Sequence, residues 1–357
     1  MIENNKQIRI KDIAEKAKVS IGTVDRVLHN RGEVAETTKK KILQIVKDLN
    51  YHPNILASTL ASKKSALFAT LLPEPPSPDG YWTRPVIGVK RRVSELRQYG
   101  IQVQPFTFSQ TDPKCFVENS RKIIELKPDG VVFAPFFKKE SVEFINNLKE
   151  LDIPFVFIDS EIKDEGQLGY IGQNSYQSGL VSGKLLDLIL PEGNILVIHF
   201  AKEMDNQNHL VQREKGFYDW YHKNKREIHQ LFTTEVPDTS DEKWMDRVAK
   251  IIRDKNIKGI FATNSKVFNV GRLIEKHNLF GLKVIGHDLL KENVAYLKKD
   301  IVQFLICQRP EEQGYSAIDK IFRYVVQKRN TAAKQYTSID IVTKENVDYY
   351  KEFKKEI

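Results

Sequence analysis

IKDIAEKAKVSIGTVDRVLHN, residues 10–30, decides how the rest of the chain is understood. Ile10, Ile13, Ala14 and Ala17 recur at i, i+3, i+4 and i+7, the spacing of one helix face. Lys18-Val19-Ser20 interrupts the run. Ser20 is placed to cap a second helix by accepting a hydrogen bond from an early backbone N–H. In that helix Val24, Val27 and Leu28 face inward, which leaves Ile21, Gly22, Thr23, Asp25, Arg26 and His29 outside. Two short helices with a tight turn make a helix-turn-helix, whose second helix reads bases with its N-terminal residues. A solvated helical hairpin has the same alternation, so the pattern alone leaves both possibilities open.

Charge around this stretch favours a polyanion. Residues 1–64 hold 13 Lys/Arg against 7 Asp/Glu, whereas the whole 357-residue chain has a net charge of only +9. A local basic excess binds phosphates and releases their counterions, although a merely soluble basic surface is also common. The length predicts two or three domains, and a hydrophobic fraction of 41% supports sizeable cores. No run approaches the ~18 apolar residues of a membrane span. The polar start MIENNKQIR has no apolar core of a secretory signal. Cys115 and Cys307 are the only cysteines, which implies no disulfide framework and fits a reducing cytoplasm. No Cys/His spacing suits zinc, and neither metal nor cofactor is expected.

Residues 35–49 predict a third helix with Ile42, Ile45, Val46 and Leu49 on its buried stripe. Lys39, Lys40 and Lys41 near its start either meet phosphates or sit in solvent. Beyond it, Pro53 stops the preceding structure. Asn54 can cap a helix of about two turns, from Ile55 to Ser62. Isolated helices need ~12–15 residues to be stable in water, so this one is expected to fold only when held by a partner or by DNA. Leu60 is its apolar outlier, suited to a wedge in the minor groove or to packing on the next domain.

From Ala66 the character changes to strand–helix alternation. Apolar β-rich runs occur at 66–72, 101–106, 130–135, 153–159, 193–200, 257–263, 282–288 and 301–307, with amphipathic stretches between them. Val86, Val89, Val93 and Leu96 mark one helix face in 85–99. Continuous apolar strands joined by helices predict parallel sheets covered on both sides. Two α/β lobes are expected rather than one large sheet. The predicted domains are therefore a helix-turn-helix headpiece at 1–50, a hinge at 51–64 and a two-lobed domain at 65–357. The lobe break is placed near 160–169 and the return near 290–335. Ligands in such sheets bind beyond the carboxyl ends of the strands.

The run IKDIAEKAKVSIGTVDRVLHNRGEV, followed by NYHPN, resembles the headpiece and hinge of the LacI/GalR family of bacterial transcription regulators. The likeness continues through FVFID (155–159), IGQNSYQSG (171–179), REKGF (213–217), FATNSKVFNVG (261–271), VIGHD (284–288) and CQRPEEQG (307–314), which are similar to the family's effector-cleft segments. The resemblance implies an all-α headpiece joined to a two-lobed domain like the type I periplasmic binding proteins. It implies that Ser20, Ile21, Gly22, Thr23, Arg26 and His29, with Thr38, Asn54, Ala57 and Leu60, lie at double-stranded operator DNA. Arg26 is the candidate for a bidentate guanine contact, and Ile21 for a thymine methyl. Asp25 departs from the family's frequent serine, and Ala35 from its capping hydroxyl.

For the cleft, the resemblance implies Trp82, Phe136, Asp159, Gln173, Asn174, Arg213, Asn264, Asp288 and Gln308. Carboxylates and amides supply the paired donors and acceptors that a polyol needs. Taken singly, each residue has a plainer role: Asp159 and Asp288 as helix caps, Arg213 as a surface ion pair, Trp82 as lobe packing. Gln173, Ser265 and His287 depart from an acid, an aspartate and an aromatic at the matching positions.

These features predict a DNA-binding regulator, a repressor, working as a homodimer and switched by a small sugar-like effector. The alternative is a sugar-binding protein without a regulatory role, which would not need a basic headpiece. An enzyme on a Rossmann-like fold would want G-x-G-x-x-G after the first strand, where this chain has PEPPSPDG, and no G-x-S-x-G elbow occurs.

Overall fold

The computed structural model describes residues 9–28, 34–49, 65–75, 77–201, 208–224, 228–329 and 332–350. The chain divides into two compact units, Met1–Lys63 and Lys64–Ile357. The expected hinge helix, with Asn54, Ala57 and Leu60, lies outside the described residues, as does His29.

The first unit contains α1 (Ile10–Ala17), α2 (Ile21–Leu28) and α3 (Glu36–Asp48). The Asp12 carboxylate accepts from the Arg9 N–H at 2.7 Å and closes the first turn of α1. Lys18 ends that helix in the left-handed region at φ +57°, and the Val19 N–H reaches back to the Ala14 carbonyl. Ser20 Oγ accepts from the Thr23 N–H at 3.1 Å, the cap that the sequence predicts for α2. Helix α3 starts after Ala35 without a side-chain cap. Ile13, Ala14, Ala17, Val24, Val27, Ile42 and Ile45 form the buried core of this unit.

The second unit begins with β1 (Ala66–Pro73), α4 (Thr83–Leu96), β2 (Ile101–Phe108), α5 (Pro113–Leu126), β3 (Gly130–Phe133), α6 (Lys138–Glu150), β4 (Phe155–Ile158) and β5 (Gly169–Gly172). There follow α7 (Ser175–Ile189), β6 (Asn194–His199), α8 (Asn208–Lys223), β7 (Leu231–Glu235), α9 (Lys243–Asp254), β8 (Ile257–Ala262), α10 (Phe268–His277), β9 (Lys283–His287) and α11 (Lys291–Lys298). The last elements are β10 (Phe304–Cys307), α12 (Pro310–Val325), β11 (Lys334–Tyr336) and β12 (Asp340–Val342). Two sheets result, ordered β11-β5-β4-β3-β1-β2 and β12-β10-β9-β8-β6-β7. Among the described residues, all pairings are parallel except β10 with β12. The central strands are buried on both faces, as their unbroken apolar runs require.

All eight predicted strands are present, and β5, β7, β11 and β12 are additional. Strand β5 reads GYIG, with a glycine at each end instead of an apolar run. Strands β7 and β11 are sheet edges with mostly polar or exposed residues, and β12 has only three residues. These additions correct the lobe boundary. Segment 161–168 is a surface loop, and β5 behind it still pairs with β4. The chain therefore leaves the first sheet at Gln173–Asn174, not at 160–169. It returns at Gln308–Arg309 and crosses a third time at residues 337–339 between β11 and β12.

The two sheet orders match position for position, and the helices match with them. Helix α4 packs on α12 in the first lobe, and α8 packs on α7 in the second. Glycines hold both pairs at close range. A Cβ at Gly88 or Gly314 would lie 1.9 or 2.0 Å from the Glu311 or Pro85 carbonyl oxygen. Gly216 and Gly179 stand in the same relation, each 2.0 Å, to the carbonyls of Tyr176 and Arg213.

Candidate functional site

On α2, the side presented to solvent begins at Ser20, Ile21 and Gly22, and Ile21 is 52% exposed. Thr23 shares a hydrogen bond of 2.9 Å with Ser20 through its hydroxyl. Arg26 is exposed, and its Nε donates to the Gly22 carbonyl at 3.3 Å. Thr38, half-buried, lies in the first turn of α3. Gly22 differs from the glycines of the larger unit's helices, since a Cβ there would meet only Ser20 Oγ, at 3.8 Å. Among the described residues of this unit, none requires a glycine at that position.

In the second unit a cleft of about 680 Å³ opens at the carboxyl ends of both sheets. Seven residues predicted from the sequence line it: Trp82, Phe136, Asp159, Arg213, Asn264, Asp288 and Gln308. Asp159 follows β4 and Asp288 follows β9, the same place in each sheet. Both have left-handed backbones, φ +66° and +67°. Neither caps a helix. Asp159 accepts from the Tyr81 hydroxyl at 2.7 Å, and Asp288 accepts from Gln308 Nε2 at 2.9 and 3.2 Å.

Arg213 is the cationic centre, 1% exposed and so not a surface ion pair. It donates to the Thr263 carbonyl at 2.6 Å and to Gln308 Oε1 at 3.0 Å. Gln308 thus links guanidinium to carboxylate, with each end of its amide used in the only orientation that suits both partners. Burial pulls the Arg213 pKa down, and Asp288 and Asp159 push it back up. Burial and the neighbouring Asp159 and Asp288 raise Tyr81 well above its ordinary value, so its hydroxyl keeps its proton. Asn264 donates to the Phe200 carbonyl at 3.1 Å, which fixes the turn before α10.

Two predicted residues are not in the lining. Gln173 is 2% exposed and donates to the carbonyls of Cys307 and Ser338, at 3.2 and 3.4 Å, so it ties the three crossings together. Asn174 caps α7 by accepting from the Gln177 N–H. Trp82 reaches the cleft but is 4% exposed and belongs to the core of the first lobe, edge-on to Tyr81. His287 sits behind the cleft, fully buried, 3.1 Å from Ser178 Oγ, and burial holds it well below its usual pKa.

Tyr81, His209 and Lys266 line the cleft without having been singled out. Tyr81 and His209 each stand seven residues before a helix-packing glycine, Gly88 and Gly216, so internal repetition could have pointed to them. Burial lowers His209 to about 4, against the opposing pull of Asp159. It is therefore a neutral imidazole at pH 7, able to donate at one nitrogen and accept at the other.

Comparison with known proteins agrees with both units. Residues 9–54 match the model for bacterial regulatory proteins of the lacI family, and residues 70–346 match the periplasmic binding protein domain. The HTH-type transcriptional regulator RegA of Clostridium saccharobutylicum is 32% identical over 209 residues, 58% of this chain and 59% of that protein. The chain spans less than two thirds of the length of the curated relatives it matches. A crystal structure from Bacteroides fragilis, described as a LacI transcriptional regulator, superposes with a TM-score of 0.76 at 31% identity. It covers 80% of this chain and 100% of its own. A solute binding protein from Burkholderia graminis, solved with D-arabinose, shares the fold at 20% identity, with a TM-score of 0.71 over 80% of this chain and 98% of its own. With a helix-turn-helix ahead of a two-lobed domain of this type, the chain belongs to the lacI family of bacterial regulatory proteins.

Proposed function

We propose that this protein is a sequence-specific transcriptional regulator, acting as a repressor in the cytoplasm, whose operator affinity is set by a sugar-like effector bound between its lobes. One observation carries this: a single chain joins an exposed recognition helix to a cleft in which two carboxylates, a guanidinium and an amide converge. Vicinal hydroxyls suit that set, since each can donate to a carboxylate and accept from an amide or guanidinium. Pentoses and hexoses are the leading class, and D-arabinose, the ligand of the Burkholderia solute binding protein, is a natural first probe.

Two copies would place two α2 helices in major-groove half-sites related by a two-fold axis. The segment 51–64 would carry the lobe arrangement to the headpiece, with a coupling of about 1–3 kcal/mol. The test is a thermal-shift screen of the full chain with neutral sugars, sugar acids and sugar phosphates. Hits are followed by operator titration with and without the hit. A ligand at about 100 times its Kd should stabilise the protein by about 2.7 kcal/mol. A hit that leaves operator affinity unchanged would support the sugar-binding alternative and overturn regulation.

A further inference from the structure

The two crossings at 173–174 and 308–309 occupy equivalent places: each is a glutamine after the second strand of its sheet order, followed by the start of a helix. The glutamines go to different destinations. Gln173 turns into the hinge, onto Cys307 and Ser338, whereas Gln308 turns into the cleft, onto Arg213 and Asp288. The difference begins at the next residue. Asn174 has an ordinary extended backbone, φ −71°, and caps its helix. Arg309 has a left-handed backbone, φ +53° and ψ +57°, which a non-glycine residue adopts only at a cost.

Side-chain contacts hold Arg309 there. Its Nε and Nη2 reach both oxygens of Asp340, at 2.6 and 3.3 Å, and its Nη1 reaches Glu312 at 3.5 Å. Asp340 is the first residue of β12 in the second sheet and sits opposite Cys307 in the ladder. Glu312 lies on α12, which packs in the first lobe. One arginine therefore bridges the second and third crossings and touches elements of both lobes. The backbone around it is also pinned, because the Gln313 side chain donates to the Gln308 carbonyl at 3.1 Å.

We infer that Arg309 and Asp340 form a brace across the hinge that turns Gln308 into the cleft and holds the two lobes at one separation. Arg309 is a positioning residue in this scheme, since it acts through Gln308 and does not line the cleft. A planar guanidinium is the side chain suited to such a two-pronged grip on a carboxylate. Any effect on operator binding rests on the proposed regulatory function. The lobe separation does not, so the two ideas fail separately.

The experiment measures the distance between spin labels on the two lobes of the full chain, without ligand. Labels go on Lys139→Cys in α6 and Lys250→Cys in α9, both exposed, in a Cys115→Ser background. With the brace intact, the expected result is one narrow distance distribution. Asp340→Asn keeps the shape of the side chain and is expected to broaden or split that distribution. Arg309→Gly separates the brace from its backbone, since glycine accepts φ +53° without strain. It is expected to broaden the distribution as much as Asp340→Asn does. If Arg309→Gly or Asp340→Asn keeps the parent's narrow distribution, the brace is overturned. A narrow distribution for Arg309→Gly alone would reduce the site to a left-handed turn.

Discussion

The two lobes of the larger unit share one strand order and one glycine-mediated helix pairing, yet they bring unlike side chains to the cleft. The first lobe supplies the rings of Tyr81, Trp82 and Phe136 and the acids Asp79 and Asp159. The second supplies His209, Arg213, Asn264, Asp288 and, at its border, Gln308. What coincides, the strand-end aspartates with left-handed backbones, is dictated by the scaffold. What differs, tyrosine against histidine and Pro85 against the buried Arg213, is where specificity can reside. Both lobes mix rings with polar groups, since Phe200 and Phe268 line the second lobe's side and Gln110 and Thr111 the first, so the contrast lies in the buried cation that the second lobe alone places at the strand ends.

The largest effect expected from breaking this asymmetry is at Arg213. Arg213→Met removes the donor to Gln308 and to the Thr263 carbonyl, which leaves buried polar groups unpaired. Urea unfolding should show a loss of about 3 kcal/mol, the scale for removing one member of a buried charged set. A loss below about 0.5 kcal/mol, the scale of an ordinary surface substitution, would mean that the second lobe's cationic centre has no structural weight.

The strand-end acids should then separate, although their backbones match. In Asp288→Asn one oxygen becomes an NH2 facing the Gln308 amide nitrogen, and turning Gln308 over would set its NH2 against Arg213. In Asp159→Asn the Tyr81 hydroxyl keeps an acceptor. Stability should fall by about 1–3 kcal/mol for the first and by clearly less for the second. Equal losses in chemical denaturation would show that the two lobes are equivalent in energy as well as in shape.

Tyr81 and His209 extend the comparison to pH. A histidine held at about 4 in the folded chain, against 6.5 as its ordinary value, binds a proton more readily when unfolded. The stability due to its neutral form is complete above pH 6.5 and is lost as the pH falls from 6.5 towards 4. His209→Tyr, which copies the first lobe, should flatten the decline of the melting temperature across that window. His287, also held low by burial, keeps part of it. An unchanged slope would remove His209 as a contributor.

Much of this architecture is legible in the sequence because it rests on burial. Runs such as FVFI and KVIGH are central strands, buried along almost their whole length, and their carboxyl ends bring Asp159 and Asp288 to the cleft. The crossings were harder to see. Their location depends on β5, β11 and β12, elements of three or four residues whose pairing is decided by the sheet and not by local pattern. The resemblance implies Gln173 in the cleft, but its direction depends on a backbone angle that no residue type announces. Tyr81 and His209 were hidden for a related reason, since each is visible only when the lobes are laid over one another.

The smallest predicted effect contrasts the glycines of the lobes with Gly22 of the headpiece. In the lobes, four helical glycines face carbonyl oxygens that an added Cβ would overlap. Gly22, in a helix that glycine weakens by roughly 0.5–1 kcal/mol relative to alanine, has open space where a Cβ would go. Since none of the described headpiece residues needs it, the proposed reason is the close approach of DNA. Gly22→Ala should therefore stabilise the headpiece by up to about 1 kcal/mol while weakening binding to an operator fragment selected from random DNA. Gly216→Ala, by contrast, should destabilise the lobe and leave the headpiece's melting unchanged. Operator binding that stays the same or tightens in Gly22→Ala would show that the groove does not need the missing methyl, and Ile21 and Arg26 would be left as the readers on that face.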